Sequence, residues 1–228
     1  MLGGETCESQ LGNFVGTLAC DAGCLFDTTG CTEAVCDDGM IEALEVCDMD
    51  DVGGADCVSL GFESGMVSCA DDCLALDTTT CTPFEAPYAQ DFEAAVLPAL
   101  PAELITGTDD ADWFTTDTTV QAGLQGGQSG DIGDSQLSSM DLTLNYASAG
   151  TISFWVNTST ESNFDFLRFY VDGVEVDTWS GITDWTQVTF PVDAGLHTLT
   201  WEYDKDGSVS SPEDTVWVDS IEAALDPV

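Results

Sequence analysis

The second part of the chain alternates between apolar and polar residues with a period of two. Between residues 150 and 160, Ile152, Phe154 and Val156 fall on one face, and Ser153 and Trp155 fall on the other. This pattern is typical of a β-strand with one buried face. The same alternation recurs at Leu167/Phe169/Val171, at Val188/Phe190/Val192 and at His197/Leu199/Trp201/Tyr203. A further, shorter strand is predicted to begin at Val216-Trp217-Val218.

The residues between these segments are typical of turns. Asp172-Gly173 is a two-residue hairpin signal that leads into a further strand at 174–176. The Gly-, Asp- and Ser-rich stretch Gly123–Ser135 is predicted to be a loop. Short strands joined by such turns favour an antiparallel sandwich over a parallel sheet. We therefore predict a β-sandwich over residues 91–228.

The first 82 residues lack this alternation and instead contain a repeat. The segment that begins at Cys7 and ends at Cys31-Thr32 matches the segment that begins at Cys57 and ends at Cys81-Thr82, with cysteine offsets of 49 or 50 residues. Thr82-Pro83-Phe84-Glu85-Ala86-Pro87 then marks a boundary. We predict Cys-rich repeats over 1–82, a linker over 83–90 and the sandwich after it, a mainly β protein in two parts.

All ten cysteines lie in the first part, which predicts a disulfide framework and an oxidising compartment. Zinc is a poor alternative, because the pairs lack CxxC spacing and the chain has one histidine. The cysteines predicted to form disulfides are Cys7, Cys20, Cys24, Cys31, Cys36, Cys47, Cys57, Cys69, Cys73 and Cys81.

The charge balance excludes some functions. Asp and Glu number 43 against two basic residues, Arg168 and Lys205, which gives a formal net charge of −41. Nucleic acids and anionic membrane surfaces are bound through Lys and Arg, so neither is an expected partner. Carboxylates are natural Ca²⁺ ligands, which makes calcium the expected cofactor. We expect each cation to anchor several carboxylates, with Asp165 and Asp172 close to Arg168 in sequence.

The cysteine pattern carries a family resemblance. Cys36-Asp37-Asp38-Gly39, followed by Glu45-Val46-Cys47-Asp48 and further cysteines, resembles the myxobacterial-type Cys-rich disulfide repeats of large secreted bacterial surface proteins. This resemblance implies extracellular display without enzymatic activity. By elimination we expect Cys36 to pair with Cys47, which leaves four cysteines in each copy and three possible pairings that stay open.

The order of motifs in the second part carries another resemblance. Asp91-Phe92-Glu93, the strand at 150–154, the segment 165–173 and Trp217-Val218-Asp219 are similar to the MAM-like jelly-roll modules of secreted bacterial proteases and adhesins. Such modules imply binding or assembly roles and a structural Ca²⁺. Because their first and last strands lie side by side, we expect Glu93 and Asp219 to converge on one calcium ion.

The aromatic residues suggest a ligand surface. Trp179 and Trp185 flank the loop 180–184 and are the candidate ligand-binding residues, whereas Trp155, Trp201 and Trp217 lie inside strands and are expected to pack in the core. The single histidine, His197, alternates with Leu199 along a strand and has no nucleophile motif beside it. A structural or surface role is therefore expected for it.

Together these features predict a non-catalytic, extracellular structural or adhesive surface protein that self-assembles into a filament or matrix, or binds other surface proteins or glycans. The alternative is a carbohydrate-binding accessory module of a secreted hydrolase, and a free-standing enzyme is the third hypothesis. No apolar run is long enough to span a bilayer. Residues 1–5 lack a signal peptide, so we expect that a leader was removed or that the chain is a piece of a longer protein.

Overall fold

The computed structural model describes residues 5–11, 14–21, 25–33, 35–41, 45–107, 109–208 and 213–227. It divides the chain into two compact units. The first comprises Met1–Cys57 and Gly65–Cys81, and the second comprises Val58–Ser64 and Thr82–Val228. The described residues are mainly β, as predicted, and no helix among them is long and apolar enough to cross a membrane.

The first unit consists of very short elements. Two of its hairpins are equivalent in the repeat: β2 pairs with β3 in the register Ala19↔Asp27, and β5 pairs with β6 in the register Ser68↔Asp77. The end of each hairpin is followed by the same kind of turn, because Asp27 accepts the N–H of Thr29 and Asp77 accepts the N–H of Thr79. The elements are α1 (Cys7–Leu11), β1 (Phe14–Gly16), β2 (Ala19–Cys20), β3 (Phe26–Asp27), β4 (Cys31–Glu33), β5 (Ser68–Cys69) and β6 (Leu76–Asp77).

Four disulfides between described cysteines hold the first unit. Cys7–Cys31 and Cys57–Cys81 are equivalent in the two copies, and each spans 24 residues. The other two, Cys36–Cys73 and Cys47–Cys69, link the segment between the copies to the β5–β6 hairpin.

The expected Cys36–Cys47 bond is therefore wrong. The segment between the copies lies along the β5–β6 hairpin, where Val46 N–H donates to the carbonyl of Cys73 at 2.8 Å, so its cysteines meet those of the hairpin. Cys20, the equivalent of Cys69, is exposed and forms no disulfide with a cysteine of the described residues. Cys24, which was also predicted to be cross-linked, lies outside the described residues.

A buried carboxylate explains why two motifs of the repeat occur together. Asp48 is fully buried, and its oxygens accept the N–H groups of Asp38 at 3.1 Å and Gly39 at 3.0 Å. Asp48 of the Glu-Val-Cys-Asp motif thus closes the turn at Asp38-Gly39 of the Cys-Asp-Asp-Gly motif. Gly39 in this turn has a φ of 90°. A side chain there would strain the turn.

The second unit is the predicted β-sandwich. One sheet has the strand order β10-β11-β18-β13-β16, with β8 also on β18. The other has the order β15-β14-β17-β12-β7, with β9 also on β12. The strands are β7 (Phe84–Glu85), β8 (Tyr88–Gln90), β9 (Leu104–Thr106), β10 (Phe114–Thr116), β11 (Gly126–Gln128), β12 (Leu137–Tyr146), β13 (Gly150–Ser159), β14 (Phe166–Val171), β15 (Val174–Ser180), β16 (Thr186–Val192), β17 (Gly195–Asp204) and β18 (Thr215–Leu225).

The core lies between the sheets and is rich in aromatic rings. Phe154 of β13, Phe169 of β14 and Trp201 of β17 have no exposed surface, and their ring centroids lie 4.8 to 5.3 Å apart. Burying one such side chain contributes roughly 1.5–3 kcal/mol. The period-two alternation therefore identified the core face of β13, β14, β16 and β17, whereas the long strand β12 was not predicted.

Two predictions about local structure differ from the fold. The expected linker 83–90 contains β7 and β8, which pair with β12 and β18, and the expected loop 123–135 contains β11, which also pairs with β18. These strands have two or three residues, too few to show an alternation. They form because long strands offer them partners, which local sequence does not reveal.

The tryptophans expected in the core divide into three cases. Trp201 is in the core. Trp217 is buried away from the core, and its indole N–H donates to Gln128 at 3.1 Å. Trp155 is half-buried, because it alternates out of phase with the core residue Phe154.

Candidate functional site

The predicted calcium ligand Asp219 lies on β18 and is fully buried. Its Oδ2 accepts the backbone N–H groups of Gln121 at 2.8 Å and Ala122 at 3.3 Å, and Oδ1 accepts the hydroxyl of Ser220. Burial raises the pKa of Asp219, and these hydrogen bonds oppose the rise. The carboxylate therefore fastens the loop that precedes β11.

The other predicted ligand, Glu93, is exposed and contacts the same loop. Its Oε1 accepts the N–H groups of Leu124 at 2.6 Å and Gln125 at 2.9 Å. As predicted, the first strands lie beside the last one, because β8 pairs with β18. Glu93 and Asp219 thus hold one loop through N–H donors, an arrangement that satisfies both carboxylates without an ion. Calcium at this pair stays a prediction.

A different acidic cluster was not predicted. Carboxylate oxygens of Glu161, Asp165 and Asp206 all lie within 4.8 Å of one another. The three residues come from the loop between β13 and β14 and from the residues after β17, which meet because β14 and β17 are paired strands. With 43 acidic residues in the chain, no sequence signal distinguishes these three.

The two candidate tryptophans are both half-buried. Trp179 is on β15, and its ring contacts Phe154 and Phe190 at centroid distances of 6.2 and 6.3 Å. It therefore closes one edge of the core. Trp185 lies beyond the connecting loop, just before β16, where it offers part of its surface to solvent.

The loop between these tryptophans forms a wall of a cavity. The cavity has a volume of about 400 Å³ and presents hydroxyl, amide and carboxylate groups beside an indole. Ile182, which is 75% exposed, and Thr183 belong to the loop. The lining residues are Thr119, Asn157, Thr158, Ser159, Ile182, Thr183, Glu213 and Trp217. The flanking tryptophans indicated the loop in the sequence, whereas the other lining residues come from distant parts of the chain and were not predicted.

The outward face of the β14–β17 pair contains a charged network. The Arg168 guanidinium donates to Asp204 at 2.7 Å and to Glu175 at 2.9 Å, so it anchors two carboxylates as predicted. Its partners are thus Asp204 and Glu175 rather than Asp165 and Asp172, the acids that are close to it in sequence. Burial and the nearby Asp204 raise the pKa of Glu202, whose carboxylate accepts the hydroxyl of Tyr170 at 3.0 Å.

The remaining candidates have structural roles. His197 lies between Asp172, 2.7 Å from its Nδ1, and the carbonyl of Asp193, 3.1 Å from its Nε2. Both ring nitrogens are therefore occupied, and neither faces a nucleophile among these contacts. Lys205 is buried and forms an ion pair with Asp214, which holds the start of β18.

Comparison with known proteins identifies no family. No protein-family model and no curated protein matches the chain. Several solved structures are similar to it. The K1 cleaved adhesin domain of Lys-gingipain from Porphyromonas gingivalis W83 has 16% identity and a TM-score of 0.47, over 61% of this chain and 98% of that one.

Two further structures give similar values. The K2 cleaved adhesin domain of Lys-gingipain has 14% identity and a TM-score of 0.48, over 62% of this chain and 99% of that one. The module TmCBM61, solved with β-1,4-galactotriose, has 14% identity and a TM-score of 0.41, over 60% and 91% of the two chains. At such identities and TM-scores, what these proteins bind is not transferable to this chain.

Proposed function

We propose that the chain is a non-catalytic, extracellular structural or adhesive protein. The observation that carries this proposal is the pair of equivalent cysteine-rich copies, each closed by a disulfide that spans 24 residues. Disulfides persist in oxidising environments, which supports a location outside a reducing cytosol. The cross-linked repeats act as a stiffened spacer, and the sandwich supplies the binding surface.

The described polar groups of the sandwich support a non-catalytic role. His197 is engaged by Asp172 and Asp193, and Arg168 is engaged by Asp204 and Glu175. A catalytic site needs a base within reach of a nucleophile and an orienting group behind that base. These side chains instead hold turns and neighbouring strands together.

Self-association is the first form of binding to test. Sedimentation velocity and negative-stain electron microscopy of the full chain are compared in millimolar Ca²⁺ and in chelator. We expect ordered assemblies in Ca²⁺ and a monomer in chelator, because a surface with so many carboxylates is bridged by divalent cations. A monomer in both conditions contradicts self-assembly, and turnover of a glycoside or peptide contradicts the whole proposal.

Glycan binding is the second candidate, favoured by the cavity beside loop 180–184. Its mixture of one indole with amide, hydroxyl and carboxylate groups is typical of a small-molecule site with a few orienting polar groups. Binding to a glycan array is expected to fall in Asn157→Ala, which changes the lining of the cavity, and in Trp185→Ala, which changes the tryptophan that follows loop 180–184. Thr189→Ala, an exposed position on β16, is the matched control. Equal binding by all these variants contradicts this candidate.

A further inference from the structure

The acidic cluster of Glu161, Asp165 and Asp206 joins two loops at one end of the sandwich. Asp165 directly precedes β14, and Asp206 follows β17. Asp165 Oδ1 accepts the N–H of Asp206 at 2.9 Å, and the N–H of Asp165 donates to the carbonyl of Glu161 at 3.1 Å. The backbone thus brings three negative charges together, an arrangement that repels itself unless it is neutralised.

Asp165 is the most unusual member of the cluster. Its side chain has no exposed surface, and its Oδ2 has no hydrogen-bond partner among the described residues. An isolated buried carboxylate is strongly unfavourable, because water no longer solvates its charge. A cation from outside the chain would give Asp165 Oδ2 the partner that it lacks among the described residues.

No basic side chain of the protein fills this position. The sequence has two Lys and Arg residues in total. Lys205 is paired with Asp214, and Arg168 is paired with Asp204 and Glu175. The single histidine contacts Asp172. The paired cations of the chain are therefore not available to this cluster, and a positive charge that pairs with it would come from outside the chain.

The electrostatics of Glu161 agree with this geometry. Partial burial raises the pKa of Glu161, and the like charges of Asp206 and Asp165 raise it further. Repulsion of this kind is reversed when a cation binds between the carboxylates.

The cluster accommodates calcium, whose coordination is more flexible in number and geometry than that of magnesium. Calcium takes six to eight oxygen ligands at about 2.3–2.6 Å, so its ligand atoms are separated by up to about 5 Å, whereas magnesium needs about 2.1 Å and a regular octahedron. The oxygens of the cluster lie within 4.8 Å of one another. We propose that Glu161, Asp165 and Asp206 bind a Ca²⁺ ion that ties the β13–β14 loop to the residues after β17.

The test is calorimetric titration of CaCl₂ into the chelator-treated full chain, with thermal unfolding followed in parallel. The wild type is expected to bind Ca²⁺ and to unfold at a higher temperature when Ca²⁺ is present. Asp165→Asn and Glu161→Gln are each expected to weaken binding roughly tenfold or more, because a site with fewer charges binds Ca²⁺ less tightly. MgCl₂ is expected to give a clearly weaker effect.

The controls separate this site from others. Glu93→Gln with Asp219→Asn removes the carboxylates of the other predicted site, and Asp184→Asn removes an exposed acid. Both controls are expected to keep the same heat of binding at the cluster. If Asp165→Asn does not fold, Glu161→Gln decides the result, because Glu161 is only partly buried. Wild-type protein that does not bind millimolar Ca²⁺, or unchanged affinity in Glu161→Gln, overturns the proposal.

Discussion

The cysteine-rich unit and the sandwich unit are stabilised by different chemistry. In the described part of the cysteine-rich unit, the buried apolar residues are five cysteines and Leu18. Its larger apolar side chains are mostly at the surface, with Met66 78% exposed and Leu25 69% exposed. The sandwich instead buries a continuous cluster that includes Phe154, Phe169 and Trp201.

This difference shows how a short, loop-rich segment folds without an apolar core. Small units bury too small a fraction of their surface for apolar contacts to offset the loss of chain entropy. Disulfides lower the entropy of the unfolded chain instead. Disulfides therefore stabilise the first unit, whereas packed aromatic rings stabilise the second.

Reduction is expected to separate the two units most sharply. All ten cysteines lie between Cys7 and Cys81, and all six tryptophans lie between Trp113 and Trp217. Treatment with a phosphine reductant is expected to make the first unit sensitive to protease. Tryptophan fluorescence, which reports only on the sandwich, is expected to keep its emission maximum and its unfolding midpoint. A red shift on reduction contradicts the independence of the sandwich core from the disulfides.

A core substitution is expected to destabilise the sandwich and to leave the disulfides of the first unit intact. Phe154→Ala removes a fully buried ring, which is expected to destabilise the sandwich by roughly 3–5 kcal/mol in urea unfolding. Trp155→Ala, one residue along the strand but half-buried on the other face, is the matched control with a clearly smaller loss. Neither variant should change the number of free thiols after denaturation without reductant. A change in that number contradicts the comparison.

The two equivalent disulfides test whether the copies are stabilised equally. Replacing Cys57 and Cys81 by serine opens a loop of 24 residues, which is expected to cost about 3–4 kcal/mol. The same replacement at Cys7 and Cys31 opens a loop of equal length. Hydrogen exchange of the hairpins measures both losses. A much smaller loss for the Cys57–Cys81 replacement would show that the further bonds to Cys36 and Cys47 hold the second copy.

The sequence predicted more of the sandwich than of the cysteine-rich unit. The long strands β13, β14, β16 and β17 were predicted because apolar residues such as Ile152, Phe154 and Val156 recur at every second position, whereas β12 was not predicted. The disulfide pairing of Cys36 and Cys47 was predicted wrongly, because pairing depends on which segments lie side by side. Repetition revealed equivalent cysteines without revealing that the segment between the copies crosses the second hairpin.

The candidate sites were predictable only in part. Loop 180–184 was identified from its flanking tryptophans, and it does line a cavity. The cluster of Glu161, Asp165 and Asp206 was not identified, because strand pairing brings it together and its residues are a small part of a very acidic chain. The large number of acidic residues thus predicts calcium binding in general but does not show which carboxylates are the ligands.

The smallest expected effect is a difference in pH dependence between the two units. In the sandwich, burial raises the pKa of Asp141 and of Glu202. In the cysteine-rich unit, hydrogen bonds from Thr29 and Thr79 lower the pKa of Asp27 and of Asp77. A carboxyl with a raised pKa binds its proton more tightly in the folded state, so it stabilises the fold as the pH falls.

The sandwich is therefore expected to unfold at a higher temperature as the pH falls from 7 toward the ordinary carboxyl range near 4. Asp141→Asn with Glu202→Gln is expected to flatten this dependence, whereas exposed Asp184→Asn leaves it unchanged.

The lowered pKa values of Asp27 and Asp77 act in the opposite sense, because their contribution is present above the ordinary value of 3.8 and is lost as the pH falls through the lowered one. Tryptophan fluorescence follows the sandwich and hydrogen exchange follows the hairpins, in high salt to screen the net charge of −41. A parallel response of both units would show that total charge, rather than the surroundings of these carboxyls, determines their pH dependence.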